Sequence, residues 1–421
     1  MKVWIVRAYE PFPTIDGTGR YLRYGMLAKA LTERGHEVFW WTSNFDHVRK
    51  KSRRIDAPVT TEIWPGLSVR LLPASEYQKN ISLKRVRHNR SLARAFKQEV
   101  SRATELPDVI LACIPTLELA EQAVVFASKK GIPVIVDVED EWPELYLHAF
   151  PGAVRGLGRM LLTLEFRRLK RTLQSATAIF ACSNTYLQWA LGYAGRSQHA
   201  NDKVFVLGYV RPEDDSNHGS EKLQTRMEHD WGIRSDYFVA TFLGQFGASY
   251  DLETVVEAAR RLNNDSSDHI HFVLAGNGDK YAQLRELARG LDNVSFTGWL
   301  DHAAMAALLR SSSVGLAAYT NQALQSLPYK PFEYMAAGLP IVSSLKGEFA
   351  ALLKEEAIGA QYRAGDPVSL ADCLRRFSEQ PVLRKEMGQR ALELFERRFS
   401  ADVVYPMFVD QLMQIADGRL L

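Results

Sequence analysis

The residues best suited to chemistry lie in one run, Leu327-Pro328-Tyr329-Lys330-Pro331-Phe332-Glu333-Tyr334-Met335-Ala336-Ala337-Gly338-Leu339-Pro340-Ile341-Val342. Proline fits the first turn of a helix, because the N–H it lacks is one that would stay unbonded there. A helix starting at Pro331 puts free backbone amides and the positive end of the helix dipole beside the Lys330 ammonium, an arrangement that holds a diphosphate. Glu333 can project from the same turn and accept hydrogen bonds from two vicinal hydroxyls, as a carboxylate does with a ribose. An ordinary ion pair at a helix start would use the same residues, so the spacing alone leaves both readings open.

Three carboxylates, Glu139-Asp140-Glu141, follow the apolar run Pro133 to Val138, which places them at the carboxyl end of a strand, where side chains of an α/β sheet reach a ligand. One of them, Asp140, is the candidate to orient an acceptor hydroxyl; a solvent-facing acidic turn is the alternative for at least one of the three. Gly17 and Gly19 allow close backbone approach or simply a turn. Arg20, at an expected helix start, has a guanidinium suited to anions. No histidine cluster has metal spacing and no Asp-X-Asp is present. Asp137-Val138-Glu139 is the nearest imitation, and no metal is expected. Cys113, Cys182 and Cys373 are far apart in apolar surroundings and read as core thiols.

The elements that would position these groups alternate strand and helix. Val3 to Val6, Val38 to Trp41, Val109 to Ala112, Pro133 to Val138, Ala178 to Ala181 and Val204 to Leu207 read as strands. Between them lie helical patterns over Tyr21 to Arg34 and Leu117 to Lys129 and another from Asn184. After a polar, turn-rich stretch the rhythm restarts: Val239 to Leu243, His271 to Ala275, Val294 to Phe296, Gly315 to Ala317 and Pro340 to Val342, with helices over Leu252 to Leu262 and Tyr281 to Ala288. This cadence predicts two doubly wound α/β domains, with parallel sheets covered on both faces and their carboxyl ends facing a cleft. The expected domains are residues 1–212 and 233–398, with 213–232 as linker and a terminal helix, about 400–421, crossing back to the first.

The run from Lys330 to Val342 resembles the nucleotide-sugar motif of the retaining GT-B glycosyltransferases of family four, most of all the bacterial exopolysaccharide, O-antigen and colanic-acid-type branch. Other segments fall in the same order. Asp16-Gly17-Thr18-Gly19-Arg20 is similar to the family's loop after the first strand. Asp137 to Glu144 resembles the branch's acidic Trp-Pro segment, and Gly244-Gln245-Phe246-Gly247, Ala275-Gly276-Asn277-Gly278 and Phe296-Thr297-Gly298-Trp299-Leu300 are similar to its C-terminal-domain strand ends. The resemblance implies donor contacts from Glu333, Lys330, Gly244, Phe246, Gly276, Asn277, Gly278, Trp299, Ser326 and Pro328. It also implies an acceptor or phosphate loop at Gly17, Thr18, Gly19 and Arg20, and catalytic parts for Lys330, Gln325 and Asp140. Three positions depart from the family pattern. The first of its paired glutamates falls on Gln325, and Gln245 and Asp251 stand where an Arg and a Lys are usual, leaving Lys330 and loop amides to carry the diphosphate charge.

The chain of 421 residues carries 52 Lys and Arg against 49 Asp and Glu, a net charge of +3. Up to Asp215 there are 31 against 23, a net +8, and beyond it 21 against 26, a net −5. The basic half predicts an anionic partner there, a membrane surface or a diphosphate-bearing acceptor, and a solvated charged face would show the same balance. The Val154 to Leu173 segment, with Arg155, Arg159, Arg167, Arg168, Lys170 and Arg171 among apolar residues, is read equally as a helix resting on anionic lipid or a core helix with a basic outer face. No apolar run reaches the ~20 residues of a membrane span. The Met1 to Val6 opening is strand-like, so a cytoplasmic protein is expected, peripheral at the inner face of the plasma membrane. The absence of a recognition module disfavours nucleic acid. The expected reaction moves a sugar from a nucleotide-diphosphate sugar, UDP- in preference to GDP-, to a saccharide on a polyprenyl diphosphate lipid. No cofactor is needed. The rival readings are a nucleotide-sugar epimerase on the same fold and a catalytically silent binding subunit.

Overall fold

The computed structural model describes residues 1–11, 21–53, 55, 57–149, 152–211, 227–234, 236–263 and 269–418. They form two compact units, one of residues 1–208 with 404–421 and one of residues 209–403. The Gly17, Thr18, Gly19 and Arg20 loop lies outside the described residues.

Unit 1 contains β1 (Lys2–Val6), β2 (Glu37–Ser43), the short pair β3 (Phe45–Asp46) and β4 (Lys51–Ser52), β5 (Val59–Trp64), β6 (Leu67–Leu72), β7 (Val109–Ile114), β8 (Val134–Val138), β9 (Ala178–Ala181) and β10 (Lys203–Val204). Eight of these make one sheet in the order β10-β9-β8-β7-β1-β2-β6-β5. All pairs in it are parallel except β5, which runs antiparallel to β6 as a largely exposed edge. Such an edge was not anticipated for a wholly parallel sheet; its alternating threonines and glutamate give no continuous apolar run. The interior strands β7 and β8 are buried at every position, as strands covered on both faces must be. The strand expected over Val204 to Leu207 stops at Val204, because the carbonyls of Phe205 and Val206 are taken by the Arg23 guanidinium, at 2.6 and 3.0 Å.

An unanticipated helix, Leu83–Val100, is capped by Ser82, whose side chain accepts from the Arg85 N–H. Its buried face includes Arg85, His88 and Asn89 beside Leu92, Ala93, Phe96 and Val100. The expected continuous helix over Val154 to Leu173 is two helices, Arg155–Leu161 and Thr163–Gln174, broken at Leu162. The Thr163 hydroxyl donates to the Met160 carbonyl at 2.7 Å, competing for an acceptor at that turn.

Unit 2 holds β11 (Phe238–Leu243), β12 (Ile270–Ala275), β13 (Val294–Gly298), β14 (Val314–Ala317), β15 (Ile341–Ser343) and β16 (Gly359–Gln361), parallel throughout in the order β13-β12-β11-β14-β15-β16. Residues 227–231, in the segment expected to link the two units, are helical, with Met227 and Trp231 buried. The terminal helix, Ala401–Ala416, returns to unit 1, where Phe408 stacks on Phe205 with ring centroids 4.3 Å apart.

Each sheet reverses its order of winding once, between β1 and β7 in unit 1 and between β11 and β14 in unit 2. Connections leave a doubly wound sheet in opposite directions at such a point and open a crevice beyond the strands' carboxyl ends. The unit 2 candidates lie there, and the unit 1 acids lie at the carboxyl end of β8, one strand beyond β7.

Candidate active site

In unit 2 the chain leaving β14 runs to the helix Tyr329–Ala336. Pro328 is its N-cap, with extended backbone, and Lys330 and Pro331 are its second and third residues, so the proline sits in the first turn. Glu333 falls three residues after Lys330 on the same helix face, in the following turn rather than the first, and is half-buried. Lys330 is 7% exposed. Its ammonium lies 4.2 Å from the Phe242 ring centroid and 4.9 Å from that of Tyr250. Burial pushes the lysine down to about 8, against the attraction of Glu333.

The glycines beside it are steric necessities. Gly244, at φ +128°, ends β11 so close to Lys330 that a Cβ there would stand 2.3 Å from Nζ. A Cβ at Gly276, φ +140°, would fall 1.8 Å from the Gly244 carbonyl oxygen, and one at Gly278 2.7 Å from the Phe246 nitrogen. The two loops interlock through the Gly244 N–H donating to Ala275 (2.8 Å) and the Phe246 N–H to Asn277 (2.9 Å). The result is backbone bare of side chains next to a buried cation, which suits an oxyanion.

The other expected donor residues divide. Phe246 is fully buried among Phe242, Tyr281 and Phe296, so its side chain anchors the loop and is not a contact surface. Asn277 is exposed, its side chain accepting from the Gly278 N–H at 2.7 Å. Trp299 is 66% exposed at the end of β13. Ser326 is buried and donates to Glu348 at 2.9 Å, so a carboxylate from another helix stands beside the motif. The Gln325 Oε1 is buried without a hydrogen-bond partner among the described residues. Asp251 is structural: it accepts from the Thr254 hydroxyl and the Gly365 N–H, both at 2.7 Å.

In unit 1 the acidic run follows β8. Asp137 is fully buried in a two-point ion pair with Arg23, at 3.0 and 3.2 Å, and accepts from the Tyr24 hydroxyl at 2.7 Å, which excludes it from any metal set. Glu139 pairs with Arg7 at 3.1 Å. Asp140 is pushed up to about 6, first by burial and then by the Glu139 charge, with Arg7 and Arg85 opposing. None of the three acids at 139–141 is fully exposed. Arg7 and Glu10, which follow β1, were not singled out by sequence. Glu10 accepts from the Tyr24 and Gly25 N–H groups at 3.2 and 2.8 Å, occupying the start of the helix Arg23–Glu33 with an internal carboxyl that burial pushes up to about 7. Those amides are therefore spoken for, and phosphate is not their partner. Among the described residues no group of three or more His, Cys, Asp or Glu is placed to hold a metal ion.

Outside these sites, the Arg155–Leu161 helix and the next turn project Leu157, Met160, Leu161 and Leu164, which are 53–68% exposed, while Phe166, Leu169 and Leu173 are buried. Arg155, Arg167, Lys170 and Arg171 are exposed around them. No described helix is long and apolar enough to cross a membrane.

Two Rossmann-like units, each with its candidate residues at the carboxyl end of its sheet, are the architecture of GT-B glycosyltransferases. A model described as glycosyl transferases group 1 matches residues 224–394, and one described as a glycosyl transferase 4-like domain matches residues 16–202. The chain belongs to the GT-B glycosyltransferases of family four. It is 34% identical over 149 residues to the phosphatidyl-myo-inositol mannosyltransferase of Mycobacterium leprae, 35% of this chain and 38% of that protein. It is 27% identical over 179 residues to the lipopolysaccharide core biosynthesis glycosyltransferase LpsD of Rhizobium meliloti, 42% and 49%. The chain thus spans about half or less of the length of these curated relatives. HepE of Anabaena, solved in complex with UDP, aligns with a TM-score of 0.67 at 14% identity, covering 98% of this chain and 100% of that one, a likeness of fold.

Proposed function

We propose that this chain transfers a sugar, with retention of anomeric configuration, from a nucleotide-diphosphate sugar held by unit 2 to a saccharide acceptor held by unit 1, in the assembly of bacterial cell-surface polysaccharide. The observation that carries the reading is the buried Lys330 ammonium at the unit 2 switch point, beside interlocked glycine loops. A cation in that setting costs free energy until an anion neutralises it, and a diphosphate matches one ammonium plus backbone amides. Lys330 takes up the charge that develops on the departing nucleoside diphosphate, so no metal is required at the leaving group. Glu333 holds the ribose, and the unpartnered Gln325 oxygen is suited to accept from a hydroxyl of the donor sugar. Asp140, pushed up to about 6, orients the acceptor hydroxyl. Uridine is favoured as the base because HepE, which shares the fold, binds UDP. A lipid-linked diphosphate acceptor at an anionic membrane is supported by the exposed Leu157, Met160, Leu161 and Leu164 among basic side chains, and by LpsD's part in lipopolysaccharide core synthesis.

A thermal-shift comparison of UDP, GDP and their sugars tests the donor, since a ligand at 100 times its Kd adds about 2.7 kcal/mol. Glu333→Ala should weaken UDP binding by about 2–4 kcal/mol while the protein stays folded, because a charge-assisted pair of hydrogen bonds is lost. Unchanged affinity in a folded variant would sink the ribose assignment. Failure of every nucleotide to shift the melting of the wild type would remove the donor site itself.

A further inference from the structure

The carboxyl edge of the unit 1 sheet carries a second group of cations that the donor reading does not use. Arg85, from the helix Leu83–Val100, is 8% exposed. Its guanidinium carbon lies 4.9 Å from the Trp142 ring centroid, 5.2 Å from that of Tyr9 and 5.9 Å from that of Tyr77. One terminal nitrogen donates to the Asn80 carbonyl at 3.0 Å, and the buried Nε has no partner among the described residues. Lys50, on the turn between β3 and β4, places its ammonium 4.8 Å from the centroid of the same Tyr77 ring and donates to the Asn80 side chain at 2.6 Å. Arg7, after β1, spends one nitrogen on Glu139 and leaves Nε and Nη1 buried and unpartnered. Three cations from three elements thus converge where the sheet changes its winding, with buried donors directed at no protein acceptor.

Of the carboxyls in the neighbourhood, Glu139 takes one Arg7 nitrogen and Asp140 faces Arg7 and Arg85, yet the Arg7 Nε and Nη1 and the Arg85 Nε keep no acceptor among the described residues. Asp46 is occupied with the Val48 and Arg49 N–H groups, at 2.8 and 2.9 Å. Glu118 accepts from Asn89 and is pushed up to about 7 by burial. The field registers on the histidines: His47 is pushed down to about 3, first by burial and then by Lys50, Arg85 and Arg7, and His88 to about 4, by burial with Arg85 and Lys50 contributing. Aromatic faces hold the guanidinium in place without cancelling its charge.

We propose that Arg85 and Lys50, with Arg7 behind them, form a subsite for a phosphoryl group on the acceptor, so that unit 1 selects a saccharide carrying a phosphate or diphosphate. A planar guanidinium with a free Nε offers the two-point donor that a phosphoryl oxygen pair takes, and the ammonium adds a second charge. The proposal rests on the assignment of the acceptor to unit 1, and adds which acceptors that unit accepts. Whether the phosphoryl belongs to a soluble sugar phosphate or to a lipid-linked diphosphate does not alter the chemistry of the subsite.

Inorganic diphosphate titrated calorimetrically into the full chain tests it, using wild type, Lys330→Met, Arg85→Gln and the double variant, with melting curves to check folding. Two sites are expected. Lys330→Met should remove one, Arg85→Gln should weaken the other at least tenfold, and the double variant should bind neither. Arg85→Lys, which keeps the charge but loses the fork, and Lys50→Met should each weaken the second site partially. If Lys330→Met abolishes all binding, or if Arg85→Gln has no effect in that background, the subsite does not exist and the donor assignment stands. Binding that ignores Lys330 and disappears with Arg85 leaves this subsite standing and overturns the donor reading. Two further probes, glucose 1-phosphate and phosphatidylcholine vesicles containing undecaprenyl diphosphate, separate the sources. Arg85-dependent binding to either supports the subsite and names its ligand, and independence of Arg85 with both overturns it.

Discussion

Replacing Lys330 with methionine should make the unliganded protein more stable while disabling it. The lysine is pushed from 10.5 down to about 8. At pH 7, where it is charged in the folded and unfolded chain alike, that shift corresponds to a cost of order 3 kcal/mol for keeping the charge buried. The contacts with Phe242 and Tyr250 return part of it, about 1–2 kcal/mol. Methionine fills nearly the same volume with no charge, so the net gain should be about 1–2 kcal/mol, or roughly 2–8 °C for a unit of this size. The sign with pH is fixed. A lysine lowered in the folded state loses its proton there first, so wild-type stability climbs from about pH 8 towards 10.5 and the advantage of methionine shrinks over that window. UDP affinity should fall by roughly 100-fold, the worth of a charge-assisted contact of about 3 kcal/mol. Differential scanning calorimetry between pH 7 and 10, without and with UDP, reads both quantities. A variant that melts below wild type at pH 7, or that retains UDP affinity, would refute the account of Lys330 as a cation held in reserve for a diphosphate.

Transfer should proceed in excess EDTA, because an ammonium and loop amides stand where a cation would otherwise bridge the diphosphate; activity abolished by chelation and restored by manganese would show that ligands were missed. Binding to anionic liposomes should fade as salt shortens the Debye length to ~8 Å and below, since each basic side chain near the surface contributes about 1 kcal/mol. Leu157→Ser with Leu164→Ser should weaken it by at least tenfold and leave UDP binding unchanged, and wild type that ignores anionic liposomes at low salt would reduce this patch to a solvated face.

The parts of the molecule legible in the sequence were those whose physics is local. Short, β-branched apolar runs such as Val109 to Ala112 read as covered strands, and Lys330, Pro331 and Glu333 lie close enough in sequence for one helix to bring them together. The illegible parts follow from burial of polar residues. The helix Leu83–Val100 turns Arg85, His88 and Asn89 inward, so its hydrophobic stripe is interrupted and no helical pattern stands out in the sequence. Arg23 and Asp137, 114 residues apart, carry no mark of their pairing. Phe246 illustrates the opposite error: a position inside a recognised loop was read as a contact, though an aromatic flanked by glycines can equally be the plug that holds the loop down. The positive φ at Gly244 and the clash of a Gly276 Cβ with the Gly244 backbone show why those loops tolerate no side chain, which a lone glycine in a sequence does not reveal.

The return of the helix Ala401–Ala416 to unit 1 sets an order of events during synthesis. Phe408 covers Phe205 and Phe180 and lies 5.2 Å from the Arg23 guanidinium carbon, and Gln411 donates to Asn201 at 3.3 Å. These partners leave the ribosome before residue 209, and the helix leaves only after all of residues 209–403. At roughly 5–20 residues per second the delay is about 10–40 s, long compared with the folding of a domain. Unit 2 is contiguous and finishes first, while the aromatic surface of Phe180 and Phe205 stays open to solvent and to chaperones. The first half of the chain to be made is therefore the last to be completed, and a lesion in the final helix acts on the Arg23–Asp137 pair beneath it, far away in sequence and early in synthesis.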